Sequence, residues 1–239
     1  QLEKRFPLAP VIPETPLQRM VAYLLEAWGD EWWIPIAMHT RWSYPENYAL
    51  WEKDTGPALL PCFPKFLQRQ AAAYPAREMR SKLHTVGVRP EQAALMNTWT
   101  EHMLDLLEQH FSVQPYLLGG HPTLADFSLA GSMYGHLGRD PWPARELIAP
   151  RPQLRNWIER MTNPPADSAN AALLADDQIA ETLLPIIHSI FAEFVPMLEA
   201  ILREVNQLLP NYPAGKALPR GLDEIEMPMA NGKFRRAAL

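Results

Sequence analysis

The sequence predicts an all-α fold: a helical bundle with a long additional helix and an irregular tail at its C-terminal end. Three observations support this prediction. Capping signatures stand where helices would begin, apolar residues recur at three- and four-residue steps, and no segment alternates polar and apolar residues as a strand does. The length of 239 residues suits one large domain, or one domain with an appendage.

The clearest helix start lies in the segment GHPTLADFSL, residues 120–129. Thr123 is a suitable N-cap residue, and Asp126 follows three positions later, where its carboxylate can reach back to the N–H of the cap. Pro122 and Phe127 occupy the two positions of a hydrophobic staple, which fixes the direction of chain entry. Because the residues that follow are apolar on nearly all sides, we expect this helix to be buried.

A second capping signature stands near the beginning of the chain. Thr15 is the N-cap, Pro16 takes the first helical position, and Gln18 completes the capping box. The apolar pattern extends this helix as far as Trp42. Pro35 is expected to kink it, because proline has no N–H to donate and clashes with the preceding turn.

Further helices and one long connection are expected along the middle of the chain. Residues 43–61 are expected to form a loop, and residues 63–83 a helix or helix pair interrupted near Pro75. An amphipathic helix begins at Pro90, and residues 152–162 form a short one. The stripe of the Pro90 helix consists of Met96, Trp99, Met103, Leu106 and His110.

The last predicted helix covers residues 176–209. Asp176 and Asp177 would open it, where negative charges complement the helix dipole, and Pro185 and Pro196 would kink or split it. We expect its apolar stripe to pack back on the bundle, with a partner-binding face as the alternative. That stripe consists of Ile179, Leu183, Ile186, Ile190, Phe194, Met197, Ile201, Val205 and Leu208.

Composition and charge argue against two classes of partner. The formal net charge is −5, and no run of basic residues is longer than Arg235-Arg236, so neither nucleic-acid binding nor attachment to an anionic membrane is expected. No uninterrupted apolar stretch approaches the ~18 residues that a membrane span needs. We therefore expect no membrane partner.

The cysteine and histidine content gives no sign of a metal site. Cys62 is the single cysteine, which rules out an internal disulfide and fits a reducing compartment; we expect it to be buried and inert. His102 and His110 are eight positions apart with no other ligand at suitable spacing, so each is expected at the surface or half-buried, and no metal is expected.

The order of motifs around the capping box resembles the C-terminal, all-helical domain of the glutathione transferase family. The segment YLLGG, residues 116–120, precedes the box, and PQLRNWIERM, residues 152–161, follows it. The resemblance implies three parts. Residues 1–14 would be the end of a preceding thioredoxin-like domain and a linker, residues 15–165 the helical domain, and residues 166–239 a helical extension and tail.

The resemblance also implies what the whole protein does. In such transferases the thioredoxin-like domain binds glutathione and carries the residue that lowers its thiol pKa. We therefore assign no catalytic residue or cofactor in this chain and do not expect the chain alone to be active. The whole protein would join glutathione to a hydrophobic electrophile, in the cytoplasm and with a homodimer as the possible assembly.

By position in the family, the second half of the first long helix would form the wall of the hydrophobic co-substrate pocket. The candidates there are Trp33, Met38, Arg41 and Trp42. Asp30 is the candidate for an acidic residue that reaches the glutathione bound by the other subunit of a dimer. In the same family the capping residues Thr123 and Asp126, with the staple residue Phe127, serve folding rather than catalysis.

Two other interpretations stay open. The domain could be a non-catalytic interaction module of the same fold, or an unrelated helical bundle that holds a small hydrophobic ligand among its tryptophans. Trp28 and Trp32 are four positions apart on one helix face and are assigned to the core, whereas Trp33 projects elsewhere and fits either core or pocket.

Overall fold

The computed structural model describes residue 5 and residues 10–165, 171–213, 215–216 and 224–237. Most of the helix end and linker predicted for the first 14 residues lies outside these described residues. Of the part that is described, the carbonyl of Val11 accepts a hydrogen bond of 2.8 Å from the N–H of Leu124, the first residue of the capped helix. The beginning of the described chain is therefore attached to that helix start.

The described residues are predominantly helical, which confirms the predicted fold class. Short 3₁₀ and π segments flank several helices, and residues 141–148 form an irregular helical segment between α6 and α7. The helices are α1 (Pro16–Glu31), α2 (Ile34–Ser43), α3 (Pro45–Leu59), α4 (Lys65–Ser81), α5 (Ala93–Phe111), α6 (Leu124–Ser132, continued by π residues Met133–Leu137), α7 (Pro152–Thr162), α8 (Leu184–Ser189, continued by π residues Ile190–Phe194) and α9 (Val195–Leu208).

The centre of the fold is a pair of closely packed helices, α1 and α6, with α5 and α7 beside them. The core between them is rich in large side chains, because Trp28, Trp32, Trp99 and Trp157 are all essentially without exposed surface. Burial of these aromatic groups is the main source of stability of the domain. The prediction that Trp28 and Trp32 belong to the core is confirmed.

The predicted capping box is present at the start of α6. Asp126 Oδ2 accepts hydrogen bonds from the N–H of Thr123 at 2.9 Å and from its hydroxyl at 3.1 Å. Its other oxygen, Oδ1, accepts from the N–H of Leu117 at 2.9 Å and from the indole N–H of Trp157 at 3.0 Å. Asp126 thus joins the YLLGG segment and α7 to the start of α6. Phe127, proposed as the staple residue, leaves 50% of its surface exposed.

The loop predicted for residues 43–61 is wrong. The structure has a helical hairpin there, formed by α3 and α4, which pack against each other. Pro45 stands at the first turn of α3, where proline is tolerated, whereas Pro57 and Pro75 lie inside helices. The many prolines obscure the helical pattern in the sequence, and the contact between the two helices compensates for the backbone hydrogen bonds that the interior prolines lose.

The start predicted for the last helix is also wrong. Asp176 and Asp177 lie in a 3₁₀ turn with left-handed backbone angles, φ 54° and 56°, and residues 178–180 are not helical. The helical path resumes at Glu181, and π geometry separates α8 from α9. Asp177 instead contacts the beginning of α1, where its carboxylate accepts from the N–H of Leu17 and of Gln18, each at 2.9 Å.

Within the described residues one helical stretch, Glu181–Asn211, is long and apolar enough to cross a membrane by length and composition alone, and the sequence reading did not anticipate it. In the structure, Ile186, Ile190, Phe194 and Met197 of this stretch are buried in the helical core. The prediction that the stripe packs back on the bundle therefore holds for its first half. Met197 is the buried residue of α9, and the rest of the α9 stripe is partly or largely exposed.

The tail is not irregular, because residues 224–237 form a β-hairpin. Strand β1 (Glu224–Met229) pairs antiparallel with β2 (Gly232–Ala237), and Met229 lies opposite Gly232. Side chains of β1 alternate between exposed and buried, and Ala230 in the turn has a left-handed φ of 48°. The turn consists of Ala230 and Asn231, and Gly232 begins β2; the missed signal is the Asn231-Gly232 pair between two segments of alternating residues.

The hairpin belongs to the same core as the helices. Its inward side chains pack against Trp32 and neighbouring core residues, and the amide side chain of Gln92 bonds to the backbone N–H and carbonyl of Arg235 at 2.7 and 3.0 Å. The C-terminal extension is therefore part of one packed unit with the helical domain. The inward hairpin side chains are Ile225, Met227, Met229 and Phe234.

Candidate functional site

Two of the predicted site residues, Asp30 and Met38, line the same groove. It lies where the end of α1 and the beginning of α2 meet α6, and it has a volume of about 210 Å³. It is open to solvent on one side, and a larger cavity of about 360 Å³ lies between α3 and α4. The groove is lined by Gly29, Asp30, Ile34, Ala37, Met38, Ser128, Gly131, Ser132 and His136.

The floor of the groove exists because α1 and α6 approach closely at Gly29. A Cβ atom at this position would come within 2.6 Å of Ser128 Oγ and 3.0 Å of the N atom of Leu129, so only glycine fits without displacement. Further along α6, Gly131 has open space above it. Small residues on both helices thus leave room for a ligand or another chain.

Asp30 is the charged group of the groove. Its carboxylate is exposed, and Oδ1 lies 2.8 Å from Ser128 Oγ, which also lies 2.7 Å from the carbonyl oxygen of Glu26. A hydroxyl carries one proton and can donate to only one of these acceptors at a time. Asp30 therefore keeps its acceptor capacity for a cationic or N–H group entering from solvent.

His136 forms the deep end of the groove. Burial, together with the neighbouring Arg41 cation, lowers the pKa of His136 to about 4, so the imidazole is neutral near pH 7. Its Nδ1 atom is buried and has no hydrogen-bond partner among the described residues. A neutral imidazole can donate from one ring nitrogen and accept at the other.

Arg41 supports the groove from behind rather than lining it. Its guanidinium makes a two-point contact with Asp140, at 2.8 and 3.0 Å, and donates to the carbonyl of Gly135 at 2.8 Å. These bonds fix the π segment that carries His136 against α2. Arg41 does not line this groove but lines a smaller pocket of about 70 Å³ together with Trp51, Arg139 and Asp140, and its role in a co-substrate site stays a prediction.

Trp33 lies in the core, which corrects its assignment as a candidate for the pocket wall. It has no exposed surface, and its ring lies 5.5 Å from the Trp28 ring and 5.0 Å from the Trp99 ring, both edge to face. Its neighbour Trp32 is equally buried. The helix breaks between Trp32 and the start of α2, so both indoles point inward, which a continuous helix does not allow for adjacent residues.

Trp42 is also corrected, because it packs against the α3–α4 hairpin and not into the groove. Its ring lies 5.2 Å from the Trp51 ring, and the Arg80 guanidinium lies 5.3 Å from its centre. Arg80 also stands over Tyr48 at 4.5 Å. The aromatic and cation–π contacts make Trp42 the anchor of this hairpin on the domain.

The remaining candidates for chemistry do not form a site. Cys62 is exposed, which corrects the expectation of burial, and His110 is fully buried rather than half-buried. His110 hydrogen-bonds Thr182 Oγ1 and the Tyr116 carbonyl. Among the described residues, no group of three or more His, Cys, Asp or Glu side chains is placed to hold a metal ion.

Three polar groove residues were missed by the sequence reading. Ser128, Ser132 and His136 stand four positions apart on a helix that is otherwise largely apolar. Such spacing puts them on one side of the helix. This polar stripe was the available signal, and it points to the same groove that Asp30 enters from α1.

The geometry agrees with the comparison to known families. Residues 100–160 match the family model described as glutathione S-transferase, C-terminal domain. This segment is similar to the C-terminal domain of glutathione S-transferases. The match covers about a quarter of the chain and includes the capping box, Trp157 and the groove residues of α6 and its π continuation, whereas Asp30 and Met38 lie outside it. No curated protein is significantly similar to the chain.

The groove offers several groups that can bind a ligand. It has a carboxylate for a cation, hydroxyl and imidazole groups for hydrogen bonds, and an apolar side from Ile34, Ala37 and Met38. A ligand with a cationic end and an apolar part fits these groups.

Proposed function

We propose that this chain supplies the co-substrate side of a glutathione-dependent transferase site. The observation that carries the proposal is the groove in which Asp30 and Met38 meet Ser128 and His136, on a domain whose middle matches the transferase C-terminal family. Met38 and its apolar neighbours would contact the hydrophobic electrophile. Asp30 would bind the amino group of glutathione held by the other subunit of a homodimer.

The thiol chemistry would come from a thioredoxin-like domain preceding this chain in a longer protein. That domain would bind glutathione and stabilise its thiolate, and the thiolate would then attack the electrophile. The role of the present chain is to place the electrophile and to exclude water from it, which favours the reaction by orientation. We propose a cytoplasmic location for the whole protein, in keeping with its single cysteine.

Two measurements test the proposal. The present chain should show no measurable affinity for immobilised glutathione, while the protein extended upstream should bind it and conjugate a generic aromatic electrophile. Retention of the present chain alone on glutathione would contradict the assignment of the thiol site to another domain.

The role of Asp30 can be tested in the extended protein with a matched pair of variants. Asp30→Asn removes the groove carboxylate and should raise the KM for glutathione about tenfold, the scale of one lost charge-assisted hydrogen bond. Glu31→Gln removes an equal charge one position away, outside the groove lining, and should leave KM unchanged. Equal effects of the two variants would show that only the general charge of this region matters.

A non-catalytic interaction module is the second candidate. The α3–α4 hairpin favours it, because this element projects from the domain and packs mainly on itself. If the region upstream of this chain proves not to be thioredoxin-like, and the full protein neither binds glutathione nor conjugates electrophiles, the module replaces the transferase.

A further inference from the structure

The outer side of α4 and the turn before it expose aromatic side chains. Phe63 is 53% exposed, Phe66 63% and Tyr74 69%, which is unusual for rings of this size. Phe66, Gln70, Ala73 and Arg77 recur at helical steps, so Phe66 and Arg77 share one face. We call the surface formed by Phe63, Phe66, Tyr74, Lys65, Arg69 and Arg77 the hairpin surface.

The hairpin surface is also the basic part of an acidic chain. From Lys65 to Lys82 there are five basic residues and one acidic residue, although the chain as a whole has a net charge of −5. The basic residues are not adjacent in sequence, and the helix brings several of them to one side. The local potential is therefore positive where the average charge is negative.

The exposed rings of the hairpin surface lie away from α3. The buried residues of α4 are Ala72 and Ala76, which are on the side facing α3, and the opposite side of α4 carries the exposed rings. Leu59 at the end of α3 is 51% exposed and extends the apolar area at the tip of the hairpin. Lys65 and Arg69 border this area and also line the cavity between α3 and α4, where Arg69 pairs with Glu52 at 3.4 Å.

We propose that the hairpin surface docks on an anionic lipid bilayer. Exposed Phe and Leu side chains bordered by Lys and Arg are the features by which an interfacial helix inserts its rings at headgroup depth and pairs its cations with anionic lipids. A fluid bilayer accepts exposed rings without a preformed pocket, whereas a folded protein would need a matching surface. The proposal goes beyond the transferase function and does not depend on it.

A second exposed apolar face, on α9, lacks this charge complementarity. Leu202 is 60% exposed there, but its charged neighbours are Glu199, Arg203 and Glu204, so the local charge is negative. An anionic membrane would repel this face. The α9 face therefore serves as a control of opposite charge.

Co-sedimentation of the chain with lipid vesicles tests the proposal. We expect binding to vesicles rich in phosphatidylserine, weakened strongly by high salt, and little binding to pure phosphatidylcholine. Phe63→Ser with Phe66→Ser should reduce binding about tenfold or more, and Lys65→Glu with Arg77→Glu by a similar factor. Leu202→Ser with Leu209→Ser should leave binding unchanged.

All the substituted residues are exposed, so each variant should keep the circular dichroism spectrum of the parent chain. Binding that is absent, equal for both lipids, or unaffected by the Phe63 and Phe66 changes overturns the proposal. Stronger retention on single-stranded DNA or on an acidic polypeptide than on anionic vesicles would also overturn it, and would assign the hairpin surface to that partner instead.

Discussion

The carboxylate of Asp177 caps the start of α1 by accepting a 2.9 Å hydrogen bond from the N–H of Gln18, which lies 159 positions earlier in the chain. Its second oxygen accepts from the N–H of Leu17 at the same distance. The side chain of Gln18 returns two bonds, to the carbonyl oxygens of Leu174 and Gln178. These hydrogen bonds join the segment around Asp177 to the start of α1. They use backbone N–H groups of the first helical turn, which have no partner within the helix.

Asp177→Ala should destabilise the protein because two N–H groups at the start of α1 lose their acceptor and the helix dipole loses a compensating charge. The expected result is a lower urea midpoint with an unchanged m-value. Asp176→Ala is the control, since Asp176 is exposed, makes no such bond and has nearly the same left-handed φ. A midpoint shift as large for Asp176→Ala would mean that backbone strain, not capping, is responsible.

The same contact has a pH dependence. Desolvation raises the pKa of Asp177, but hydrogen bonds from Thr15, Gln18 and Leu17 outweigh it and hold the pKa below its usual value. A carboxyl group whose pKa is lower in the folded chain than in the unfolded chain stabilises the fold while it is ionised. This stabilisation is complete above the ordinary Asp pKa and is lost as the pH falls through the pKa of the folded state. The midpoint difference between Asp177→Ala and the parent chain should therefore shrink in strong acid.

Asp126→Asn should destabilise the domain by about 1–3 kcal/mol, because the amide cannot accept at both ends and leaves a buried N–H of Thr123 or Leu117 without a partner. Urea unfolding followed by circular dichroism gives the free energy of unfolding. Thr123→Ser keeps the hydroxyl and should cost much less. A near-neutral Asp126→Asn would show that a water or a shift of the YLLGG segment replaces the lost acceptor.

His110 should make the protein less stable in mild acid. Burial lowers the pKa of His110 to about 4, although hydrogen bonding with the Tyr116 backbone raises it. Since the unfolded chain takes up this proton near pH 6.5 and the folded chain does not, stability falls from about pH 6.5 down to pH 4, by about 3 kcal/mol in total. His110→Gln should remove this share of the decline, measured as the free energy of unfolding against pH, whereas His136, whose pKa is also lowered to about 4, still contributes its own share.

The control for this titration is His102→Gln, which changes an exposed histidine on the same helix. It should leave the decline between pH 6.5 and pH 4 intact. If both variants flatten the curve equally, the acid sensitivity comes from the total histidine charge and not from the buried site.

Glu193→Gln should loosen the β-hairpin. The buried carboxylate accepts from the Trp99 indole N–H at 2.6 Å, from Ser189 Oγ at 2.7 Å and from the N–H of Ala230 at 2.7 Å. An amide cannot accept at both ends, so hydrogen exchange of the Ala230 amide should accelerate by about tenfold or more, from about 1–3 kcal/mol of lost stabilisation. The exposed Glu199→Gln should leave the exchange rate unchanged.

The sequence was most informative where structure depends on near neighbours. The capping box of Thr123 and Asp126, the stripe of α5 and the boundary at Pro152 were predictable, because N-caps, proline at the first turn and apolar spacing act within a few residues. The same local rules failed for the α3–α4 hairpin, where packing of α4 on α3 overrides the prolines.

Of the candidate site residues, Asp30 and Met38 share a groove, whereas Trp33, Arg41 and Trp42 lie elsewhere; the binding roles of Asp30 and Met38 stay predictions. The side to which Trp33 points depends on the break between α1 and α2. The direction of the Arg41 side chain depends on its bond to Asp140, which lies 99 positions away. Neither relationship leaves a trace in local spacing.

The sequence by itself determined the all-α class, the starts of α1, α6 and α7 and the identity of the central capped helix, because these follow from interactions between residues a few positions apart. Only the tertiary structure decided that Asp177 caps α1, that the tail is a hairpin packed in the core, and that scattered basic and aromatic residues form one surface on α4. Those outcomes depend on contacts between distant segments. The net charge of −5 describes the whole chain and therefore hides the local basic surface on α4.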